Sequence, residues 1–389
     1  MKKEATYTLR QLILYFLKLG ATGFGGPVAL VGYMHRDLVE KRKWIPEAAY
    51  KEGLALAQLA PGPLAAQLGI YMGFVHYRFL GATLAGLAFV LPSFVMVLLL
   101  GMAYRLYGGL PWMQAVFYGV GAAVIGIITL SSYKLTTKSI GKLNVQSVRN
   151  KWLLWLFFIA AAVITFITRQ EYLWLFVAAG LVYMFVKAPP KRAGRSVINS
   201  LFLLQTGWIA AEDSILAKIA IFFTKAGAFV FGSGLAIVPF LHAGVVEEHH
   251  WLTERQFLDA VAVAMITPGP VVITVGFIGY LVAGVPGASV AALATFLPCY
   301  LFTVIPAPYF SRIAKNQSVQ FFVEGITAAV IGALAGAVIV IATRSIIDIP
   351  TALIALGSGL TLIYIKKIQE PYIILIAAVL GIILKSFFV

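Results

Sequence analysis

The chain is short of charge, and shortest of acid. Only 12% of its 389 residues are charged, with 15 Asp and Glu against 30 Lys and Arg. A soluble globular chain carries about 25% charged and about 45–50% apolar residues. Here 61% are hydrophobic and the mean hydropathy is +0.92, which excludes a soluble enzyme and a disordered chain. A single cysteine, Cys299, excludes an intramolecular disulfide and with it a disulfide scaffold; set in an apolar run, it reads as a small core residue. No long hydrophilic stretch is available for a separate soluble domain. There is no phosphate-binding glycine-rich loop followed by Lys and Ser or Thr, so ATP does not drive this chain directly and no cofactor is expected. No nucleophile–base arrangement stands out, and an enzyme is not expected. The cations lie in short loops between apolar runs, where they orient a chain in a membrane; nucleic acid is not an expected partner.

What is present is a series of apolar runs. They lie near 9–34, 53–77, 80–107, 113–133, 151–168 and 171–187, and again near 215–241, 260–283, 285–306, 320–342, 349–365 and 370–388. A spanning helix needs roughly 20 such residues. The first run follows Lys2 and Lys3 without a small-residue cleavage site and is read as a retained span. Between the sets, 188–214 begins basic (Lys191, Arg192, Arg195) and continues through Val197–Ala211, a length that suits an interfacial helix.

The two sets are a repeat. At an offset of 207, Phe16, Lys18, Gly20, His35, Glu40 and Trp44 meet Phe223, Lys225, Gly227, His242, Glu247 and Trp251. Pro61-Gly62-Pro63 meets Pro268-Gly269-Pro270, and residues 16–75 give 20 identities in 60 positions without a gap. At an offset of 206, Pro92 then meets Pro298. The repeats are taken as 1–187 and 215–389, joined by 188–214.

Loop charge gives their relative orientation. Loop 35–52 holds Arg36, Lys41, Arg42, Lys43 and Lys51, whereas 242–259 holds only Arg255 against Glu247, Glu248, Glu254 and Asp259. Opposite bias on equivalent loops places them on opposite sides of the membrane. If 53–77 and 260–283 are re-entrant hairpins, each half crosses five times, and an odd number inverts the second half. The positive loops 134–151 and 187–195 then fall inside. The N-terminal tail is the misfit, since Lys2, Lys3 and Arg10 would fall outside. Full spans at 53–77 and parallel halves are the alternative.

Helix breakers interrupt the apolar runs at Phe24-Gly25-Gly26-Pro27 and Pro61-Gly62-Pro63, and again at Gly232-Ser233-Gly234 and Thr267-Pro268-Gly269-Pro270. Pro27, Pro63 and Pro270 suit the first turn of a new helix, where the missing N–H is not needed. Non-helical backbone at membrane depth is tolerated inside protein or beside a water-filled cavity, and matched breaks in two halves point to a transport site. Free N–H groups there favour an anion. Lys18 and Lys225 lie seven residues before Gly25 and Gly232; they either snorkel or supply positive charge to that anion. Gln58 and Thr267 offer hydrogen bonds. Glu52 and Asp259, each nine residues before a Pro-Gly-Pro, are either helix-start acids or proton-coupling groups. The cluster His242, Glu247, Glu248, His249, His250 lacks a helical ligand spacing, and no metal site is assigned.

These segments together resemble the chromate ion transporter family, in its long-chain, two-domain form. The resemblance rests on Phe16–Gly20, Phe24–Pro27, Val39–Trp44, Ala55–Pro63 and Leu91-Pro92-Ser93, then on Phe231–Gly234, Trp251–Thr253, Thr267–Pro270, Gly279-Tyr280 and Phe296–Pro298. It implies inverted halves and an inner-membrane exporter of chromate that confers resistance, with the Phe-Gly-Gly-Pro and Pro-Gly-Pro residues in the site. Cys299, where such proteins often have serine, departs from the pattern and leaves open any role shared with Ser93. Chromate and sulfate are tetrahedral dianions of nearly one shape, so sulfate is the expected competitor. The expectation is an all-α polytopic membrane protein of two inverted repeats of about five spanning helices. Each repeat has a broken first helix and a re-entrant Pro-Gly-Pro hairpin. Its function is read as a secondary chromate exporter of the plasma membrane, driven by membrane potential, proton exchange or both. A sulfate or other oxyanion transporter of different direction, and a non-transporting membrane protein, are the alternatives. Assembly is open, a homodimer among the options.

Overall fold

The computed structural model describes residues 6–24, 26–189, 214–229, 234–310, 316–365 and 368–387. Among them all regular structure is helical. The interfacial helix expected over Val197–Ala211 lies outside the described residues, as do Gly25, Gly232 and Ser233.

The first half opens with α1 (Leu9–Thr22) and α2 (Gly26–Met34), then a π-helical turn His35–Lys41 and α3 (Glu47–Leu59). Next come α4 (Leu64–Tyr107), α5 (Pro111–Ser139), a short α6 (Val145–Asn150), α7 (Trp152–Thr168) and α8 (Leu173–Lys187). The second half runs through α9 (Ile215–Ala228), α10 (Val238–His242), a π-helical turn Ala243–Glu248 and α11 (Glu254–Ile266). It closes with α12 (Thr274–Val304), α13 (Gln317–Ser345), α14 (Ile349–Tyr364) and α15 (Glu370–Phe387). Four stretches among the described residues are long and apolar enough to cross a membrane: Leu64–Tyr107, Pro111–Ser139, Val271–Tyr309 and Gln317–Ser345. Shorter apolar helices join them. The chain is an integral membrane protein.

The halves repeat their local geometry at the sequence offset. Each has a π-helical turn at the same place, followed by a residue with positive φ, Lys43 at 53° and His250 at 49°. The long helix of each half bends at one equivalent point, Arg78 (φ 51°, ψ −138°) and Gly284 (φ 63°, ψ −153°). Beyond that bend the chain doubles back on itself. A Cβ on Gly73 would lie 2.2 Å from the Gly81 carbonyl oxygen, and one on Gly279 would lie 2.4 Å from that of Gly287. Only glycine lets two backbones come so close, as at the small-residue contacts of membrane helices.

The first apolar run of each half differs from the expected span. Tyr15 and Tyr33 touch, hydroxyl to carbonyl oxygen at 3.5 Å, and their equivalents Phe222 and Phe240 stack at 5.4 Å. In one straight helix, residues 18 apart would be separated by about 27 Å. Each run is therefore a fold-back pair and not one of five crossings. The cause is the glycine break: α1 has 14 residues, about 21 Å of helix, too short for a core of about 30 Å.

Side-chain contacts sort the helix ends into two groups. At the first end Tyr7 stacks on Trp44 and bonds His76 at 2.8 Å, Thr83 meets Tyr300 at 2.8 Å, and Ser318 donates to the Ala188 carbonyl at 2.8 Å. At the second, Arg255 donates to the Gln114 carbonyl at 3.0 Å and Tyr118 to Asp348 at 2.6 Å. Gln170–Leu173 line a cavity there with Lys218, Lys225 and His249. Loop 35–46 thus shares an end with the N-terminal segment at Tyr7, and loop 243–253 shares the other with the start of α8.

Candidate functional site

The helix breaks follow from their residues. Thr22, last in α1, turns its hydroxyl back to the Lys18 carbonyl at 2.7 Å. Gly23 then leaves the helical region at ψ 100°, and Gly26 begins α2 at φ +73° with Pro27 in its first turn. Pro63 caps α4, one position earlier than expected, and Pro270 precedes the 3-10 turn Val271–Ile273. Between the paired prolines Gly62 sits at φ +143° and Gly269 at +94°, both glycine territory. Gly62, Pro63, Thr267, Pro268, Gly269 and Pro270 are buried; Phe24, Gly26, Pro27 and Pro61 are half-buried.

The breaks of the two halves interlock. The Gly269 N–H donates to the Gly23 carbonyl at 2.9 Å. The buried Ser93 hydroxyl donates to the Pro268 carbonyl at 2.8 Å and lies 3.3 Å from that of Gly20. The contact is reciprocal: a Cβ on Gly269 would lie 2.0 Å from Ser93 Oγ, and one on Gly62 would lie 3.2 Å from Cys299 Sγ. Ser93 and Cys299 are equivalent positions, so each Pro-Gly-Pro loop touches the long helix of the opposite half at one place. Cys299 keeps the position of Ser93 but brings a thiol. Gln67, fully buried on the first turn of α4, donates through Nε2 to the Pro61 carbonyl at 2.8 Å. Among the described residues its Oε1 has no partner.

The lysines do not join this centre. Lys18 is exposed in a cavity of about 220 Å3 with Tyr15, Thr22, Tyr33, Arg36 and Arg42. Lys225 is exposed in one of about 460 Å3 at the other end. The two acids, equivalent in sequence, have different surroundings. Asp259 is buried and accepts from Tyr104 of the other half at 2.7 Å. Glu52 is half-buried beside Tyr71 of its own half. Gln58 is exposed, and the Thr267 hydroxyl is spent on the Ala264 carbonyl at 3.0 Å. Gly234 is buried at the start of a 3-10 turn.

Sequence reasoning named His242 and Glu247 but missed Glu47 and Glu254, which complete a carboxylate–histidine cluster in each half. His35 contacts Glu40 at 3.1 Å and Glu47 at 2.9 Å. His242 contacts Glu254 at 2.9 Å, and the ligand atoms of His242, Glu247 and Glu254 lie within 4.8 Å of one another. Arg344 bonds both Glu247 and Glu254, so a guanidinium stands among these carboxylates. In the first half Lys51, 3.2 Å from Glu47, does the same. The hydrogen bond from His35, then that from Lys51, holds the Glu47 carboxyl below the usual range. The signal was available: Glu47 and Glu254 match at the same offset, a turn into the next helix. A cavity of about 690 Å3 between Trp112, Tyr118, Arg344 and Lys385 holds none of the predicted site residues.

Two repeats whose broken helices interlock inside a bundle of apolar helices are the architecture of a membrane transporter. The chain matches the chromate transporter family over residues 10–184 and 217–382 and belongs to it. It is 63% identical to the chromate transport protein of Cupriavidus metallidurans, over 97% of this chain and 94% of that one. It is 59% identical to the probable chromate transport protein of Synechococcus elongatus, over 98% and 96%. A chromate transport protein of Pseudomonas aeruginosa is 28% identical over 95% and 90%. No solved structure matches.

Proposed function

We propose that this protein is a secondary transporter that exports chromate across the plasma membrane and so confers chromate resistance. One observation carries the reading: the matched breaks interlock through Gly23, Ser93 and Gly269. Irregular backbone at membrane depth needs such a protein-lined place, and the family and its named relatives supply the substrate. The substrate site is formed by Phe24–Pro27 with Pro61–Pro63 and by Gly232–Gly234 with Thr267–Pro270. The first N–H groups of α4 have no partner within the helix and serve an oxyanion there. Lys18 and Lys225 stand at the two mouths. Asp259, held by Tyr104 across the halves, is the stronger candidate for proton coupling; Glu52 is the weaker. A dianion leaving a negative interior gains about 4.6 kcal/mol per 100 mV, each charge being worth about 2.3. No nucleotide is then needed.

The halves 1–187 and 215–389 are inverted, and 47–77 and 254–283 are re-entrant hairpins. The support is that loops 35–46 and 243–253 join opposite ends, and that each Pro-Gly-Pro loop packs reciprocally on the other half, as a pseudo-two-fold axis requires. With the first run folded back, four of the five expected crossings remain in each half, an even number, so the inversion rests on these contacts and not on the parity of crossings, and it requires Lys187 and Ile215 to face opposite sides. Tyr7 lies on Trp44, so Arg10, one turn further on, joins the basic, cytoplasmic end. The misfit seen in the sequence goes with the fold-back of α1 and α2.

The test is chromate uptake by inverted membrane vesicles, with and without the protein, under an imposed potential. Protein-dependent accumulation that scales with potential and is blocked by sulfate is expected. No accumulation, with protein confirmed in the membrane, contradicts the substrate or the direction.

A further inference from the structure

The cavities at Lys18 and Lys225 are one construction made twice, with its charges changed. Tyr15, Lys18, Tyr33 and Arg42 in the first correspond to Phe222, Lys225, Phe240 and His249 in the second. The stacking is kept: Arg42 lies 4.5 Å over Trp44 and 5.5 Å over Tyr15. His249 lies 4.5 Å over Trp251 and 5.7 Å from Phe222. Among the described lining residues the first cavity carries Lys18, Arg36 and Arg42 against Asp37 alone. That carboxylate is already shared by Arg36 at 3.6 Å and Lys41 at 3.9 Å. Arg42 is held by rings and not by an acid, and no ion pair of Lys18 occurs among the described residues. The second cavity carries Lys218 and Lys225 against Glu248 and Glu171, and burial pushes the Glu171 carboxyl up to about 8, so that it gives up most of its charge at pH 7. Burial first, then the two lysines, push His249 below the usual histidine range against the pull of Glu248.

We infer that these cavities are the two mouths of the transport path, and that their unequal charge makes the cytoplasmic mouth a capture site for oxyanions and the opposite mouth a release site. The inference rests on the transport reading and deepens it. Charge at a mouth cannot move the equilibrium, which the gradients fix; it sets the KM at each face. A cationic cleft raises local anion concentration and on-rate, whereas a mouth with fewer cations holds the same anion less. Arg42 and His249 hold matching positions and set this difference. A dianion about 7 Å from one cation in water changes its binding about sevenfold. The effect fades as salt shortens the screening length.

The experiment is the initial rate of chromate transport in inverted and right-side-out vesicles at low and high salt. The wild type, Arg42→His, Arg42→Lys and His249→Arg are compared. The wild type is expected to show a lower KM at the cytoplasmic face. Arg42→His raises that KM about sevenfold at low salt with kcat unchanged, and Arg42→Lys restores it. His249→Arg lowers the KM at the opposite face by a similar factor, a gain that misfolding cannot mimic. Equal KM values at both faces of the wild type, or no change in His249→Arg while flux persists, would overturn the inference and leave transport standing. No chromate flux in either orientation would remove both.

Discussion

At the scale of single residues, equivalence in sequence does not mean equivalence in chemistry. Glu52 and Asp259 match in the repeat, yet Asp259 is buried against Tyr104 and Glu52 is not. Position 104 decides this, because its own equivalent is Phe310, which has no hydroxyl to give. Such a difference lies in a contact between halves, and one-dimensional spacing does not carry it. Lys18 and Lys225 were legible as functional candidates, but their separation to opposite ends was not, since it follows from the fold-back of α1. Arg78 makes a second case. It holds φ 51°, ψ −138° where the second half has Gly284, a region nearly closed to side chains, and this costs of order 1–3 kcal/mol. Arg78→Gly is therefore expected to raise thermal stability in detergent. An unchanged or lowered melting temperature would show that the Arg78 side chain, which lies 5.3 Å from the Phe74 ring, supplies more than the strain removes.

At the scale of elements, the proline and glycine punctuation located the breaks at Gly23–Pro27 and at both Pro-Gly-Pro motifs but not the bends at Arg78 and Gly284. The Pro-Gly-Pro loops need glycine at positive φ and are packed on every side. What punctuation could not fix was direction after the break: a glycine pair permits a kink or a reversal, and the choice is made by what packs alongside. For the hairpin of the first half that partner is its own continuation, with Gly73 pressed on Gly81. Gly73→Val would push these backbones apart and is expected to cost about 1–3 kcal/mol as overpacking, read as lower yield and melting temperature. A fully stable variant would mean that this close approach is not needed. The histidine–glutamate contacts belong to this scale too. His35–Glu47 ties the first π-helical turn, and His242–Glu254 the residue just before the second, to the helix that leads into a Pro-Gly-Pro.

At the scale of the whole molecule, repeat register makes the duplication legible in the sequence, and loop charge is what proposes its orientation. The number of crossings could not be read the same way, because a broken apolar run counts as one span by composition and as a fold-back pair by geometry. With the pair folded back, Tyr7, Trp44, His76 and the cations of 35–51 share one end. The acid-rich loop 242–259 shares the other with Gln114 and Arg344. The account stands or falls on these loops facing opposite sides of the membrane. Cys299 is the only cysteine and is fully buried, so Lys41→Cys and Glu248→Cys each give one accessible thiol once Cys299→Ala is in place. Labelling with a membrane-impermeant maleimide in right-side-out and inverted vesicles is the direct measurement. Position 41 should react only from the cytoplasmic face and position 248 only from the opposite one. Reaction of both from a single face would contradict the inverted repeat and the two-mouthed path built on it.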